Sequence, residues 1–377
     1  MKITDLKTTV LFCPFPEIIA DAARSIKGRD VLLVEIDTDE GLTGLGFITG
    51  LGVAHGSEIP VINTIVSDAL RPTVIGRDPL TIDRLWADMY GGTTRFGRRG
   101  ATLRAISAVD IALWDLLGKK AGLPVYRLLG GYSNKVRVYA SGGFYNAEND
   151  LEKLTKEISS YVKKGFTAVK MKVGKNPGLD VERVAAVRKT IGDEIDLLID
   201  ANEAWDFSTA LRFARDVEKY HIYWLEEPVK PDDLEGFIEL TAKSPIPIAA
   251  GENEYTKYGF KDLIINKAVN VVQPDVTRVG GITEYMKVAH FAEAFHMPCL
   301  NHAVQEVHVS LIAATSNAPM MEYFPKEQYL QTFLSELFVE PATIQEPRNG
   351  FVTAPESPGL GLKIDPVLRE KFTVKKV

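Results

Sequence analysis

Between Phe166 and Glu322, polar residues stand one or two at a time at the ends of short apolar runs. The runs Phe166–Gly174, Leu197–Asn202, Tyr223–Pro228 and Ile248–Asn253 carry Lys170 and Lys172, Asp200 and Asn202, Glu226 and Glu227, and Glu252. The runs Val269–Asp275, Pro298–His302 and Pro319–Phe324 carry Asp275, His302 and Glu322. Asp200, Glu226 and Glu252 come from three successive runs, so their oxygens can share one point in space. Three anions brought together in a partly buried site raise one another's pKa unless a cation sits among them. A hard cation with oxygen ligands resolves this, and Mg²⁺ suits a site that keeps positions open for substrate oxygens. Without a cation, the same residues would be salt bridges at the rim of a barrel. Lys170 and Lys172 are two apart on one run, hence on one strand face. Neighbouring ammonium groups and burial depress a lysine pKa, which lets one of the pair act as a base near pH 7.

Asp275 and His302 lie on neighbouring runs. An Asp bonded to one ring nitrogen fixes the tautomer and raises the basicity of the other. Glu322 stands between Met320, Met321, Tyr323 and Phe324. Apolar surroundings favour the neutral acid, which can donate a hydrogen bond to a substrate carboxylate. Asn202 shares a strand face with Asp200 and is expected as a polar contact. Strand alternation turns Glu227 away from Glu226, which leaves it out of the metal site.

Positioning these groups needs short buried strands, each ending in a charge and followed by a helical pattern. That pattern predicts an α/β fold, a parallel β/α barrel whose C-terminal strand ends face one site. Val136–Ala140 is the first barrel strand and the run with Glu322 the eighth. Helical stretches fill 149–164, 208–220, 231–243, 256–266, 283–295 and 305–314. The 377 residues allow a barrel, typically about 250 residues, plus a second domain. Residues 1–125 read as an α+β capping domain, with antiparallel strands at 2–11 and 31–48 and a helix at 105–117. The proline-containing segment Phe12–Asp30 reads as a long functional loop. The barrel is expected over 126–325, with 326–377 returning to the cap.

Composition, 45% hydrophobic and 25% charged, is that of a globular enzyme. A formal net charge of −6 argues against nucleic acid as a partner. Cys13 and Cys299 cannot form a disulfide framework. No apolar run reaches the roughly 18 residues that span a bilayer, and no signal-peptide pattern opens the chain, so a cytoplasmic protein without a membrane partner is expected.

Together these motifs resemble the enolase superfamily, and within it the mandelate racemase group (the mandelate racemase/muconate lactonizing enzyme family). Lys170-Met-Lys172 resembles the family's K-x-K, and Asp200, Glu226 and Glu252 its metal carboxylates. Asp275 and His302 resemble its Asp-His dyad, and Glu322 its final-strand acid. Ser107–Asp115 and Leu129-Gly-Gly131 look like its passage from cap to barrel. The resemblance implies a modified (β/α)8-type barrel with an N-terminal α+β cap completed by the C-terminal segment. It implies one Mg²⁺ per chain and a homo-oligomer. It makes Lys172 a base and puts Lys170 on the substrate carboxylate. It also makes Phe12–Asp30 the segment that closes over substrate, with Asp21, Arg24, Ser25 and Lys27 as hydroxyl contacts. Arg95, Arg98 and Arg99 could add to that contact or to an interface.

The implied step is removal of the proton α to a carboxylate, through an enediolate stabilised by Mg²⁺, Lys170 and neutral Glu322. With Lys172 and His302 on two faces, three outcomes follow: racemisation or epimerisation, dehydration, or cycloisomerisation. The polar segment Phe12–Asp30 favours dehydration of a sugar acid, an aldonate or aldarate, to a 2-keto-3-deoxy acid. The passage His302–Ser310, with Glu322 and Phe324-Pro325, also looks like the group's anhydro-sugar-acid cycloisomerases, which is the main alternative. A sugar-acid binding protein without turnover is the non-enzyme alternative, and the intact Lys172 and His302 argue against it.

Overall fold

The structure is a computed structural model that describes residues 1–53, 57–145, 150–339 and 346–374. The cap is built on three antiparallel strands in the order β1 (Ile3–Ala20), β2 (Ser25–Thr38) and β3 (Thr43–Val53). Phe12–Asp30 is therefore not a long loop. Pairing runs from Ile3↔Thr38 to Ala20↔Ser25, with an irregularity between Pro14 and Ile19. Pro14 and Pro16 suggested a loop, yet they lie on the edge strand, where a missing N–H breaks no ladder. Only the tip is a turn: Asp21 Oδ1 accepts from the amides of Ala23 and Arg24 at 2.8 and 2.6 Å.

The helix Ala101–Ala121 lies against β3. The contact is close because Gly44 and Gly46 carry no side chain; a Cβ on Gly46 would lie 2.1 Å from the Ala108 carbonyl oxygen. The same helix ties the cap to the barrel. Asp110 accepts from Thr283 N and Oγ1 at 3.0 and 2.6 Å, at the start of the helix Ile282–Ala294. Asp115 accepts from Leu45 N and Leu360 N, each at 2.8 Å. These buried carboxylates satisfy backbone donors that would otherwise be orphaned.

The barrel strands are β4 (Lys135–Ser141), β5 (Ala168–Lys172), β6 (Asp196–Asp200), β7 (Ile222–Glu226), β8 (Ile248–Ala250), β9 (Val271–Val272) and β10 (Met321–Tyr323). They run parallel in the order β10-β4-β5-β6-β7-β8-β9. The run Pro298–His302, expected as a strand, fills the seventh barrel position, between β9 and β10, without forming a regular one. It meets β9 through a single bridge, Cys299↔Val272. On its other side the Asn301 amide replaces the ladder: Oδ1 accepts from Glu322 N at 2.7 Å and Nδ2 donates to Glu322 O at 3.4 Å. The helix Pro177–Ile191, between β5 and β6, was not anticipated. Buried Asp180, Arg183 and Arg188 interrupt its apolar period.

After the barrel, β11 (Phe338–Val339), β12 (Phe351–Thr353) and β13 (Lys363–Ile364) follow. β12 pairs with β4, and β11 with β13. The chain then returns to the cap: Thr373 bridges Leu11, and Arg369 contacts Glu35 and Thr9. Among the described residues no helix is long and apolar enough to cross a membrane.

Candidate active site

One buried cluster supplies a residue from every barrel position: Tyr139, Ala168, Leu198, Trp224, Ala249, Val271, Leu300 and Met320. Strand side chains alternate, so the residue two further along points the same way. Two residues on from this layer stand Lys170, Asp200, Glu226, Gln273, His302 and Glu322; Lys172 and Asp275 are two further again. A floor of apolar and aromatic side chains thus carries the charged groups at the C-terminal mouth of the barrel. Glu252 breaks this period. Gly251, at φ +143°, allows a turn that brings it in, and a Cβ there would lie 2.8 Å from Phe260.

The ladders set neighbours side by side, with Lys172 opposite Asp200 and Asp200 opposite Glu226. One oxygen each of Asp200, Glu226 and Glu252 lies within 4.8 Å of the others, all buried. Lys172 Nζ is 2.5 Å from Asp200 Oδ2. Lys170 Nζ is 2.7 Å from both Glu226 Oε1 and Glu322 Oε1. Trp224 Nε1 and Gln273 Nε2 donate to Glu226 Oε2 at 3.1 and 2.8 Å, which fixes that carboxylate. This compact all-oxygen set fits a hard divalent ion such as Mg²⁺. Beside it, Asn202 donates its backbone N–H to Asp200 Oδ1 at 2.9 Å, while its own buried Oδ1 has no partner among the described residues.

Two electrostatic expectations change. Burial lowers the lysine pKa values, but the carboxylates outweigh it and both lysines are raised, Lys170 by Glu226 and Glu322, Lys172 by Asp200. For Lys172 the Asp200 charge outweighs the opposing Lys170 charge. Glu322 also departs from the direction that a neutral acid needs. Burial raises it, yet Lys170 holds it below the usual carboxylate range. Its oxygens meet polar partners: Oε1 lies 2.7 Å from Lys170 Nζ, and Oε2 accepts from Ala303 N at 2.6 Å.

His302 Nδ1 lies 2.8 Å from Asp275 Oδ2, and Nε2 lies 3.2 Å from Glu252 Oε2. Asp275 Oδ1 also accepts from Thr277 N and Oγ1, each at 2.7 Å. Burial raises Asp275, but His302 and Arg278 hold it far below the usual range, so His302 donates from Nδ1 to an anion. Burial lowers His302, and Glu252 and Asp275 raise it past that effect. Arg278 was missed from the sequence. Its Nη1 donates to Glu252 Oε1 at 3.2 Å and its Nε lies 3.4 Å from Asp275 Oδ2, so it joins the two acids. The signal was present as an Arg three residues after a functional Asp. Glu227 leaves its strand at φ +40° and accepts from Asn253 Nδ2 at 3.0 Å, outside the carboxylate trio. Burial, then the Glu252 and Glu203 charges, raise it well above the usual range.

A cavity of about 190 Å³ lies between this mouth and the cap, lined by Lys172, Asn202, Glu252, Asp275 and His302. Asp21 and Arg24 from the hairpin tip also line it, and Arg24 reaches Glu203 at 3.6 Å. Ser25 and Lys27 are exposed and do not line it. Arg95, Arg98 and Arg99 are exposed and away from it; Arg99 lies 3.5 Å from Glu254.

Residues 7–130 match the family model described as "Mandelate racemase / muconate lactonizing enzyme, N-terminal domain", and residues 153–368 match "Enolase C-terminal domain-like". The chain is 36% identical over 366 residues to an arabinonate dehydratase of Saccharolobus solfataricus, covering 94% of each. It is 35% identical to a 3,6-anhydro-alpha-L-galactonate cycloisomerase of Streptomyces coelicolor, covering 96% of this chain and 97% of that one. A racemase from Streptomyces coelicolor A3(2), solved with bound magnesium, superposes with a TM-score of 0.91 at 34% identity, over 99% of this chain and all of that one. The chain therefore belongs to the enolase superfamily, in its mandelate racemase/muconate lactonizing enzyme family.

Proposed function

We propose that this chain is a Mg²⁺-dependent sugar-acid dehydratase that removes the proton α to a carboxylate and expels the β-hydroxyl, giving a 2-keto-3-deoxy acid. One observation carries the reading: Lys172 and His302 flank a single trio of buried carboxylates and line one cavity. The relatives named as an arabinonate dehydratase and a cycloisomerase support the substrate class. The neighbour solved with magnesium supports the metal.

Asp200, Glu226 and Glu252 would hold the ion. When bound, it supplies Lewis acidity at the substrate carboxylate and shares the Asp200 charge that holds a proton on Lys172. Lys172, once neutral, takes the α-proton as the Cα–H bond breaks. Lys170 donates to a carboxylate oxygen as negative charge grows there. His302 gives a proton to the β-hydroxyl, the Cβ–O bond breaks and water leaves. The resulting enol then becomes the keto acid. Asp275 keeps the His302 tautomer that presents Nε2 to the cavity, and Arg278 keeps Asp275 and Glu252 in place. Asn202 and the hairpin-tip residues Asp21 and Arg24 bind substrate oxygens. A cytoplasmic homo-oligomer acting on a small carboxylate is part of the same reading.

The test is a keto-acid assay across aldonates and aldarates with Mg²⁺. A 2-keto-3-deoxy product supports the reading. Ring opening of an anhydro-sugar acid, with no keto acid from any open-chain sugar acid, overturns dehydration.

A further inference from the structure

The strand β2 changes face once, and the change puts a charge into the cavity. Between Ile26↔Val53 and Arg29↔Leu51 the ladder to β3 slips, so Lys27 and Gly28 together oppose Gly52. Ser25 and Lys27 are exposed and Ile26 is buried, so strict alternation would turn Arg29 outward. Beyond the slip, Val31 and Leu33 join the core shared with the barrel, while Leu32 and Val34 join the cap core. Arg29 therefore faces the barrel. Gly28 permits the slip, since a Cβ there would lie 2.5 Å from the Phe12 ring.

Arg29 is only 6% exposed and lines the cavity that holds Lys172 and His302. The other arginines of that cavity each have a carboxylate: Arg24 has Asp21 and Glu203, Arg104 has Glu58, and Arg278 has Glu252 and Asp275. Arg29 has no such ion pair among the described residues. Its Nη2 donates to the neutral Thr49 Oγ1 at 3.0 Å, and its buried Nε has no partner among the described residues. Glu306, whose charge pulls most on it, spends Oε1 on Gln331 Nε2. Burial outweighs that pull and pushes the guanidinium down to about 10. A buried cation with a neutral acceptor is costly, and an anion entering the cavity removes that cost.

We propose that Arg29 is an anion subsite at the cap end of the cavity, and that the substrate is a sugar diacid whose distal carboxylate pairs with it. The proposal rests on the sugar-acid reading and narrows it. The guanidinium fork matches a planar carboxylate through two parallel hydrogen bonds. The terminal hydroxyl of an aldonate would leave the charge unpaired.

The test is calorimetric binding to the full-length, Mg²⁺-loaded Lys172→Ala variant, which holds substrate without turning it over. The probes are galactarate and glucarate against galactonate and gluconate. Diacids should bind about 10-fold or more tightly than the matched monoacids. Adding Arg29→Gln should abolish that preference and leave monoacid affinity within about threefold, while Arg29→Lys keeps part of it. If Arg29→Gln does not fold, the preference before that change and the Arg29→Lys result decide. Equal binding of both classes, tighter monoacid binding, no binding of either, or an equal loss for both in Arg29→Gln would overturn the subsite. Wild-type dehydration of monoacids and diacids alike would sink the subsite and leave the sugar-acid reading standing. No keto acid from any of them would sink that reading, while a diacid preference in binding would still uphold the subsite.

Discussion

Lys172 Nζ lies 2.5 Å from Asp200 Oδ2, and the two residues are ladder partners on adjacent parallel strands. The strand register alone makes the proposed base and a metal carboxylate neighbours. Whatever changes the charge on Asp200 changes the proton affinity of Lys172. Metal binding and base strength are therefore coupled, and single substitutions here are expected to be non-additive.

The first prediction concerns the metal. Excess chelator should abolish turnover and added Mg²⁺ should restore it. Asp200→Asn and Glu226→Gln should each raise the Mg²⁺ concentration needed for half-maximal activity by about 10-fold or more, since one anionic oxygen of three is lost. Full turnover in excess chelator contradicts the metal assignment.

Lys172→Ala and His302→Asn form the second prediction. Each should keep its far-UV circular dichroism and lower kcat by about 10²–10⁴-fold, the range for a positioned acid or base. Near-wild-type turnover by either variant refutes its role.

Asp275→Asn tests the dyad. The substitution removes the anion that fixes the Nδ1–H tautomer of His302. kcat should fall by about 10²–10⁴-fold with KM changed far less. A rise in KM at constant kcat would show that Asp275 serves binding instead.

The fourth prediction is structural. Asn301→Ala removes the side-chain link between the irregular seventh position and β10. It leaves the buried Glu322 amide without an acceptor, so stability should fall by about 1–3 kcal/mol. A denaturant midpoint equal to wild type contradicts this account of barrel closure.

The charged groups were legible because the barrel converts sequence period into direction. Every second residue points inward, and Lys170, Asp200, Glu226 and Glu322 each follow an inward apolar residue by two. Glu252 was legible from its position after an apolar run, although Gly251 rather than alternation brings it in. The charge states were not legible. Lys172 and Glu322 take theirs from partners 28 and 152 residues away in the chain, Asp200 and Lys170, and no local composition encodes those pairings. The hairpin arms were hidden by Pro14 and Pro16, which an edge strand tolerates. Arg29 lay inside the supposed loop, and its direction depends on a bulge two residues earlier.

The central claim is that Lys172 removes the proton α to a carboxylate in a metal-dependent step. Its most direct measurement is α-proton exchange in D₂O, followed by proton NMR of a sugar acid with the His302→Asn variant, which cannot complete dehydration. The predicted result is loss of the α-proton signal with Mg²⁺, none with excess chelator, and none in the Lys172→Ala variant. Exchange that survives chelation, or proceeds at the same rate without Lys172, would contradict the claim.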